Sequence, residues 1–243
     1  MLLEAKSVSR AFGSFMALSQ ADLAVDEGEI IGLIGPNGAG KSTFFNCLVG
    51  DLVPTSGRVV FADVDVTNAS PEAHARLGIG RTFQVPATFE EMTILENVMV
   101  GAFLRHASRH DAREKAREIV EFVGLGAQIE QPARSLGTPG RKRLEIARVL
   151  ASEPRLILLD EALAGLTPVE IQTAIELVRR IHQRGVTLVI VEHIMEVILS
   201  LAQRVLVFNQ GHTIASGSPK DIVNDPAVIE AYLGRRREQR RRA

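Results

Sequence analysis

Tryptophan is missing from this 243-residue chain, and tyrosine occurs once, at Tyr232. Aromatic residues reach only 5%, so recognition of single-stranded nucleic acid by base stacking is poorly supplied. Cysteine also occurs once, at Cys47. No disulfide can close within the chain, and a cysteine-rich zinc site is excluded. No apolar run reaches the roughly 18 residues that a bilayer span requires. The opening MLLEAKSVSR lacks the basic start and apolar stretch of a secretory signal, so a reducing compartment is expected. Net charge is nearly absent, at −1. Yet the final nine residues, RRREQRRRA, hold six arginines and one glutamate. The rest is therefore acidic overall, which argues against a duplex-DNA binder and against nucleic acid as a partner. The tail reads as a solvated end, with contact to anionic lipid or RNA as the alternative.

What is present is ordinary for a folded protein. Hydrophobic residues make up 46% and charged residues 23%, which argues against general disorder. The length suits one large domain, or one domain carrying an inserted subdomain. No internal repeat is visible.

Residues 2–8 and 17–25 read as strands around a turn near Phe12–Phe15. The run Ile30, Ile31, Leu33, Ile34 has strand length and β-branched content, and a helix is expected over 41–48. Residues 57–66 read as a strand pair turning at Ala62–Asp63. From about 88 to 150 the character is helical. Within 109–123, Ala112, Ala116, Ile119 and Val123 fall on one helical face, and a second helix is expected over 141–151. Residues 155–160 and 186–191 read as buried strands, 168–183 and 194–200 as helices, and 204–209 with 212–216 as a hairpin across Gly211. Apolar strands without alternation imply a sheet covered on both faces, hence an α/β fold. Little is predicted for 70–83 or 124–135, except that Arg76 and Arg81 could approach a nucleotide or equally lie on a solvated surface.

The segment GPNGAGKS, residues 35–42, matches the phosphate-binding pattern G-x-x-x-x-G-K-[ST] in full, between a strand and a helix. Gly35, Gly38 and Gly40 let the backbone curl so that N–H groups converge on phosphate oxygens. Lys41 is expected to reach the β- and γ-phosphates, Ser42 to ligate Mg²⁺, and Thr43 to approach the α-phosphate. The bland alternative is a chance glycine-rich turn. In LILLDEALAGL, residues 156–166, a carboxylate emerges from a buried strand. Asp160 would hold the metal and Glu161 would polarise the attacking water, with a solvated strand end as the alternative. His193, just beyond 186–191, is placed to sense the γ-phosphate, although an isolated histidine is more often structural or exposed.

With these motifs the chain resembles the ATP-binding-cassette ATPases, and within them the ATP-binding subunits of bacterial branched-chain amino-acid importers. The resemblance runs from FGSFMAL near Phe12 to EAYLG at 230–234. It rests on the phosphate loop at 35–43, RTFQ ending at Gln84, RKRLEIARVL at 141–150, LILLDE with the following AGL turn, and His193 in EHIMEV. It implies a P-loop NTPase cassette over 1–234, with a RecA-like core, an antiparallel β-subdomain and a helical subdomain inserted at approximately 88–150. The basic tail follows at 235–243.

The resemblance also implies roles. Phe12 is similar to the aromatic that stacks on adenine. Gly35, Pro36, Asn37, Gly38, Ala39, Gly40, Lys41, Ser42 and Thr43 would hold ATP. Ser42, Gln84 and Asp160 would hold Mg²⁺, and Gln84 would link the γ-phosphate to the helical subdomain. Glu161 resembles the general base, and His193 the residue that orients water and γ-phosphate. The family's signature, Leu-Ser-Gly-Gly-Gln, aligns with Leu136, Gly137, Thr138, Pro139 and Gly140. Here the serine hydroxyl is missing, and Pro139 removes a backbone donor. Thr138 would replace the hydroxyl only if the loop is shifted, while Gly140 offers an N–H and Arg141 adds charge. Ala162 stands where a proline is usual, and Thr167 where asparagine or aspartate is common.

The implied partners are a second cassette, similar or identical, two transmembrane permeases and, indirectly, a solute-binding protein. The implied place is the cytoplasmic face of a bacterial inner membrane, as a peripheral subunit. Residues after Gln84 would face a permease, although Val85, Phe89, Met92 and Leu95 equally suit a core. The alternatives are import of another solute such as urea or an amide, a module that binds nucleotide with little hydrolysis, and a soluble cassette acting on DNA or ribosomes.

Overall fold

The computed structural model describes residues 1–232; the arginine-rich segment 235–243 and the last two residues of the EAYLG motif lie outside them. Along the chain the elements are β1 Leu3–Phe12, β2 Phe15–Val25, β3 Ile30–Ile34, α1 Lys41–Leu48, β4 Ser56–Phe61 and β5 Val64–Asp65. They continue as α2 Pro71–Leu77, β6 Ile79–Arg81, α3 Ile94–Ala102, α4 Arg109–Phe122, α5 Thr138–Ala151, β7 Leu156–Asp160 and α6 Pro168–Gln183. The last are β8 Thr187–Val191, α7 Met195–Leu201, β9 Arg204–Asn209, β10 His212–Gly217 and α8 Pro219–Ile222. The chain divides into two compact units. One comprises residues 1–71 with 187–232, and the other residues 72–186. No helix among the described residues is long and apolar enough to cross a membrane.

The first unit holds two sheets. In one, β1 pairs antiparallel with β2 and β4, and β4 with β5. The tight turn between β4 and β5 places Ala62 and Asp63 at positive φ, as a two-residue hairpin turn requires. In the other, β3 lies parallel to both β8 and β9, and β10 is antiparallel to β9. All five residues of β3 and all five of β8 are buried, which explains why their sequences run apolar without alternation. Helix α1 contributes Phe44, whose ring meets that of Phe208 on β9 at 5.2 Å. Strand β3 therefore delivers the chain from a dry interior directly into the glycine-rich turn that precedes α1.

The second unit is mainly helical. The expected face of α4 is present: Ala112, Ala116, Ile119 and the following Val123 are all buried. Helices α3 and α6 start at reciprocal caps. Thr93 and Glu96 close the first, and Thr167 and Glu170 the second, so two orphan donors are satisfied at each start. Helix α5 begins at Thr138, three residues before the expected Arg141. Proline at 139 does not prevent this, because a first-turn residue needs no N–H partner within the helix.

Strand β6 and helix α2 occupy a stretch with no periodic signal. β6 is only three residues, Ile-Gly-Arg, paired parallel to β7 with Ile79 opposite Leu156 and Arg81 opposite Leu158. Its existence depends on β7 as a template, not on its own propensity.

Candidate nucleotide site

The phosphate loop is shaped by what surrounds its glycines. At Gly35 a Cβ would lie 2.2 Å from the Phe208 carbonyl oxygen, and at Gly40 2.7 Å from that of Ala17. Gly40 also has φ +101, a region that side chains rarely adopt. Inside the curl, the Lys41 ammonium donates to the carbonyls of Gly35 at 2.7 Å and Pro36 at 3.2 Å. Burial of this lysine is tolerable because its charge is hydrogen-bonded. Ser42 is exposed and Thr43 half-buried at the start of α1. The loop thus presents a cation and a helix N-terminus together, the arrangement that binds phosphate. Tyr232 approaches the same turn. Burial raises the pKa of its phenol, and a hydrogen bond with the Gly35 backbone opposes that rise. Phe12 ends β1 and is exposed, with the Arg10 guanidinium 4.9 Å from its ring centre. His193 follows β8 and is exposed.

The carboxylate group lies in the second unit. Asp160, the last residue of β7, is buried and faces Arg81 at 3.6 Å. Its backbone N–H donates to the Thr82 hydroxyl at 3.2 Å. Glu161 has φ +46, a left-handed conformation that costs about 1–3 kcal/mol in a non-glycine residue. Gln84 Nε2 donates to Glu161 Oε2 at 2.8 Å, and Lys142 Nζ donates to the Glu161 carbonyl at 3.3 Å. Glu145 accepts the backbone N–H of Phe83 at 2.9 Å. Burial raises the pKa of its carboxyl, opposed by that N–H and by the charges of Arg148 and Lys142. Sequence reasoning missed Lys142 and Glu145 as members of this group, and left Arg81 open between approach to a nucleotide and a solvated surface. The available signal was Glu145 between Leu144 and Ile146, whereas Lys142 stands between two arginines and carried none.

At the signature segment, Gly137 is the N-cap of α5 without a side-chain hydrogen bond, and Thr138 opens the helix. Gly140 lies in the first turn and is buried against Leu136. Arg141, expected to add charge to the loop, pairs with Glu90 at 2.9 Å and donates to the Leu136 carbonyl. A cavity of about 330 Å³ borders this segment, with Gly137, Pro139, Lys142, Arg143 and Glu170 in its wall. Of the four apolar residues after Gln84, Leu95 is core, while Val85 is 78% and Phe89 44% exposed. Arg76 pairs with Glu72 on the surface.

In chemistry, the side-chain oxygens of Ser42 in the first unit, and of Gln84 and Asp160 in the second, are each of the hard type that Mg²⁺ takes. No cluster of three or more His, Cys, Asp or Glu able to hold a metal occurs among the described residues.

The glycine cradle with its buried lysine marks the class of P-loop nucleotide-binding proteins. Comparison with known proteins narrows the class. The ABC transporter family model matches residues 18–164, and the model of the branched-chain amino acid ATP-binding cassette transporter matches 212–238. The chain is 36% identical to the high-affinity branched-chain amino acid transport ATP-binding protein LivG of Salmonella typhimurium, over 96% of this chain and 98% of the relative. It is 34% identical to the lipopolysaccharide export system ATP-binding protein LptB of Acidithiobacillus ferridurans, over 96% and 97%. Among solved structures it resembles the ADP conformation of MJ1267, an ATP-binding cassette of an ABC transporter. The TM-score is 0.87 and the identity 33%, over 96% of this chain and 98% of that one. The chain belongs to the ABC transporter family and is an ATP-binding cassette ATPase.

Proposed function

We propose that this ATPase energises import of branched-chain amino acids, as the peripheral subunit of a membrane complex on its cytoplasmic side. The complex would contain two permeases and a second cassette, which is either a similar chain or a second copy. The observation that carries this reading is the match of residues 212–238 to the branched-chain transporter model, beyond the general family match.

In this reading Lys41 and the backbone of 35–43 hold the ATP phosphates, and Phe12 stacks on adenine. Mg²⁺, when bound, neutralises phosphate charge through Ser42, Gln84 and Asp160. Glu161 takes the proton of the attacking water as its oxygen bonds to the γ-phosphorus and the bond to ADP breaks. His193 orients that water. Positioning and charge neutralisation supply most of the rate in such a transfer. Transport then follows from different contacts in the ATP-bound and released forms, not from chemistry on the solute.

The test is hydrolysis and uptake by the complex reconstituted in liposomes. Stimulation by solute-binding protein loaded with leucine, isoleucine or valine, and not with urea or an amide, supports the assignment. Stimulation only by another solute would redirect it. The similarity to LptB favours one further reading, an export ATPase, which leucine-independent activity with lipid-export partners would support.

A further inference from the structure

Helix α5 connects two parts of the molecule that the roles above treat separately. Its first turn is the signature segment, from Thr138 to Gly140. One turn further, Lys142 and Glu145 stand three residues apart and so share a face. Both are nearly buried, at 7% and 5% exposure. Charged residues so buried are costly unless specifically satisfied. Their partners are the two loops that carry Gln84 and Glu161. Lys142 donates to the Glu161 carbonyl, and Glu145 accepts from Phe83, the neighbour of Gln84. The Gln84 amide then donates to the Glu161 carboxylate. A closed ring results: helix, Glu161, Gln84, Phe83 and helix again.

We infer that Lys142 and Glu145 are positioning residues, which hold Glu161 and Gln84 in register with the signature segment through one rigid helix. This rests on the reading of Glu161 as general base. A left-handed residue at 161 aims its carboxylate only while its carbonyl is anchored, and Lys142 is an anchor. An α-helix moves as a unit. A shift imposed at Gly137–Gly140 therefore reaches the base and its amide partner through side chains one turn away. The signature end of the chain and its own hydrolytic residues are mechanically linked.

The experiment uses the full chain and measures steady-state hydrolysis, binding of a trinitrophenyl-ATP probe, and melting temperature. Lys142→Met is expected to lower kcat at least about tenfold while KM and probe Kd stay within about threefold. Lys142→Arg, which retains a donor, is expected to keep at least about a third of kcat. Glu145→Leu should behave like Lys142→Met, and Glu145→Gln, which still offers an acceptor, like Lys142→Arg. An unchanged kcat in folded Lys142→Met overturns the inference. So does a parallel fall of kcat, binding and melting temperature without rescue by arginine, or failure of both Lys142→Met and Glu145→Leu to fold. Glu161→Gln is the control for the underlying reading. If it leaves hydrolysis intact, the base assignment and this inference fall together. If it abolishes turnover while Lys142→Met does not slow it, only the inference falls.

Discussion

The side-chain amide of Gln84 donates to the carboxylate of Glu161 at 2.8 Å, across 77 positions of sequence. The bond orients the carboxylate of the residue proposed as general base. Gln84→Ala is expected to reduce kcat about tenfold or more, with nucleotide affinity changed by less than about threefold. Steady-state hydrolysis beside probe binding checks the split. Equal losses in both would show that Gln84 contributes mainly to binding.

Gly40 tests the phosphate cradle. Alanine there meets the Ala17 carbonyl at 2.7 Å and must adopt φ +101. Gly40→Ala is expected to destabilise the fold by about 2 kcal/mol or more and to abolish probe binding. Urea melts and binding isotherms are the measurements. Wild-type binding by the variant would mean that the loop relaxes freely.

Thr167 has a local structural role. Its hydroxyl accepts the Glu170 N–H, and the Glu170 carboxylate accepts the Thr167 N–H in return. Thr167→Ala should cost about 1 kcal/mol of stability, and Thr167→Asp much less, since aspartate also caps. Denaturant midpoints decide. Equal losses for the two would exclude capping as the cause.

Cys47 is buried, and burial pushes its thiol up to about 11 from 9.0, with the Arg10 charge opposing. Its contribution to stability is fully present below pH 9. It is lost progressively towards the folded pKa of about 11, because only the unfolded chain releases the proton in that window. The stability difference between wild type and Cys47→Ala should therefore change between pH 9 and 11 and stay constant below it. Thiol reagents should react slowly at neutral pH until the protein is unfolded. A flat difference across that window, or rapid labelling of the native protein, would contradict the shift.

The strands and most helices were legible because each carries its own periodicity. The β3 run is apolar throughout and the β8 run is so after Thr187, and the α4 face repeats at helical spacing. The phosphate loop was legible because glycine, lysine and serine act there through local backbone geometry. Strand β6 was not legible, since three residues reading Ile-Gly-Arg become a strand only beside β7. The start of α5 lies three residues before the expected Arg141, since the first turn of a helix accepts Pro139. The division of Val85 and Phe89 from Leu95 was equally hidden. All three are apolar, and only packing shows that Leu95 is core while the other two stay exposed.

The amino-acid sequence by itself determined the class of chemistry, through short motifs whose backbone demands are local. Only the tertiary structure decided the partners of those motifs: Arg81 beside Asp160, Gln84 on Glu161, and α5 reaching both loops through Lys142 and Glu145. Such pairings join residues from 19 to 79 positions apart, and no local propensity encodes them. They arise when the burial of apolar neighbours on β7 and α5 brings the loops together, and the buried charges then take the donors and acceptors within reach.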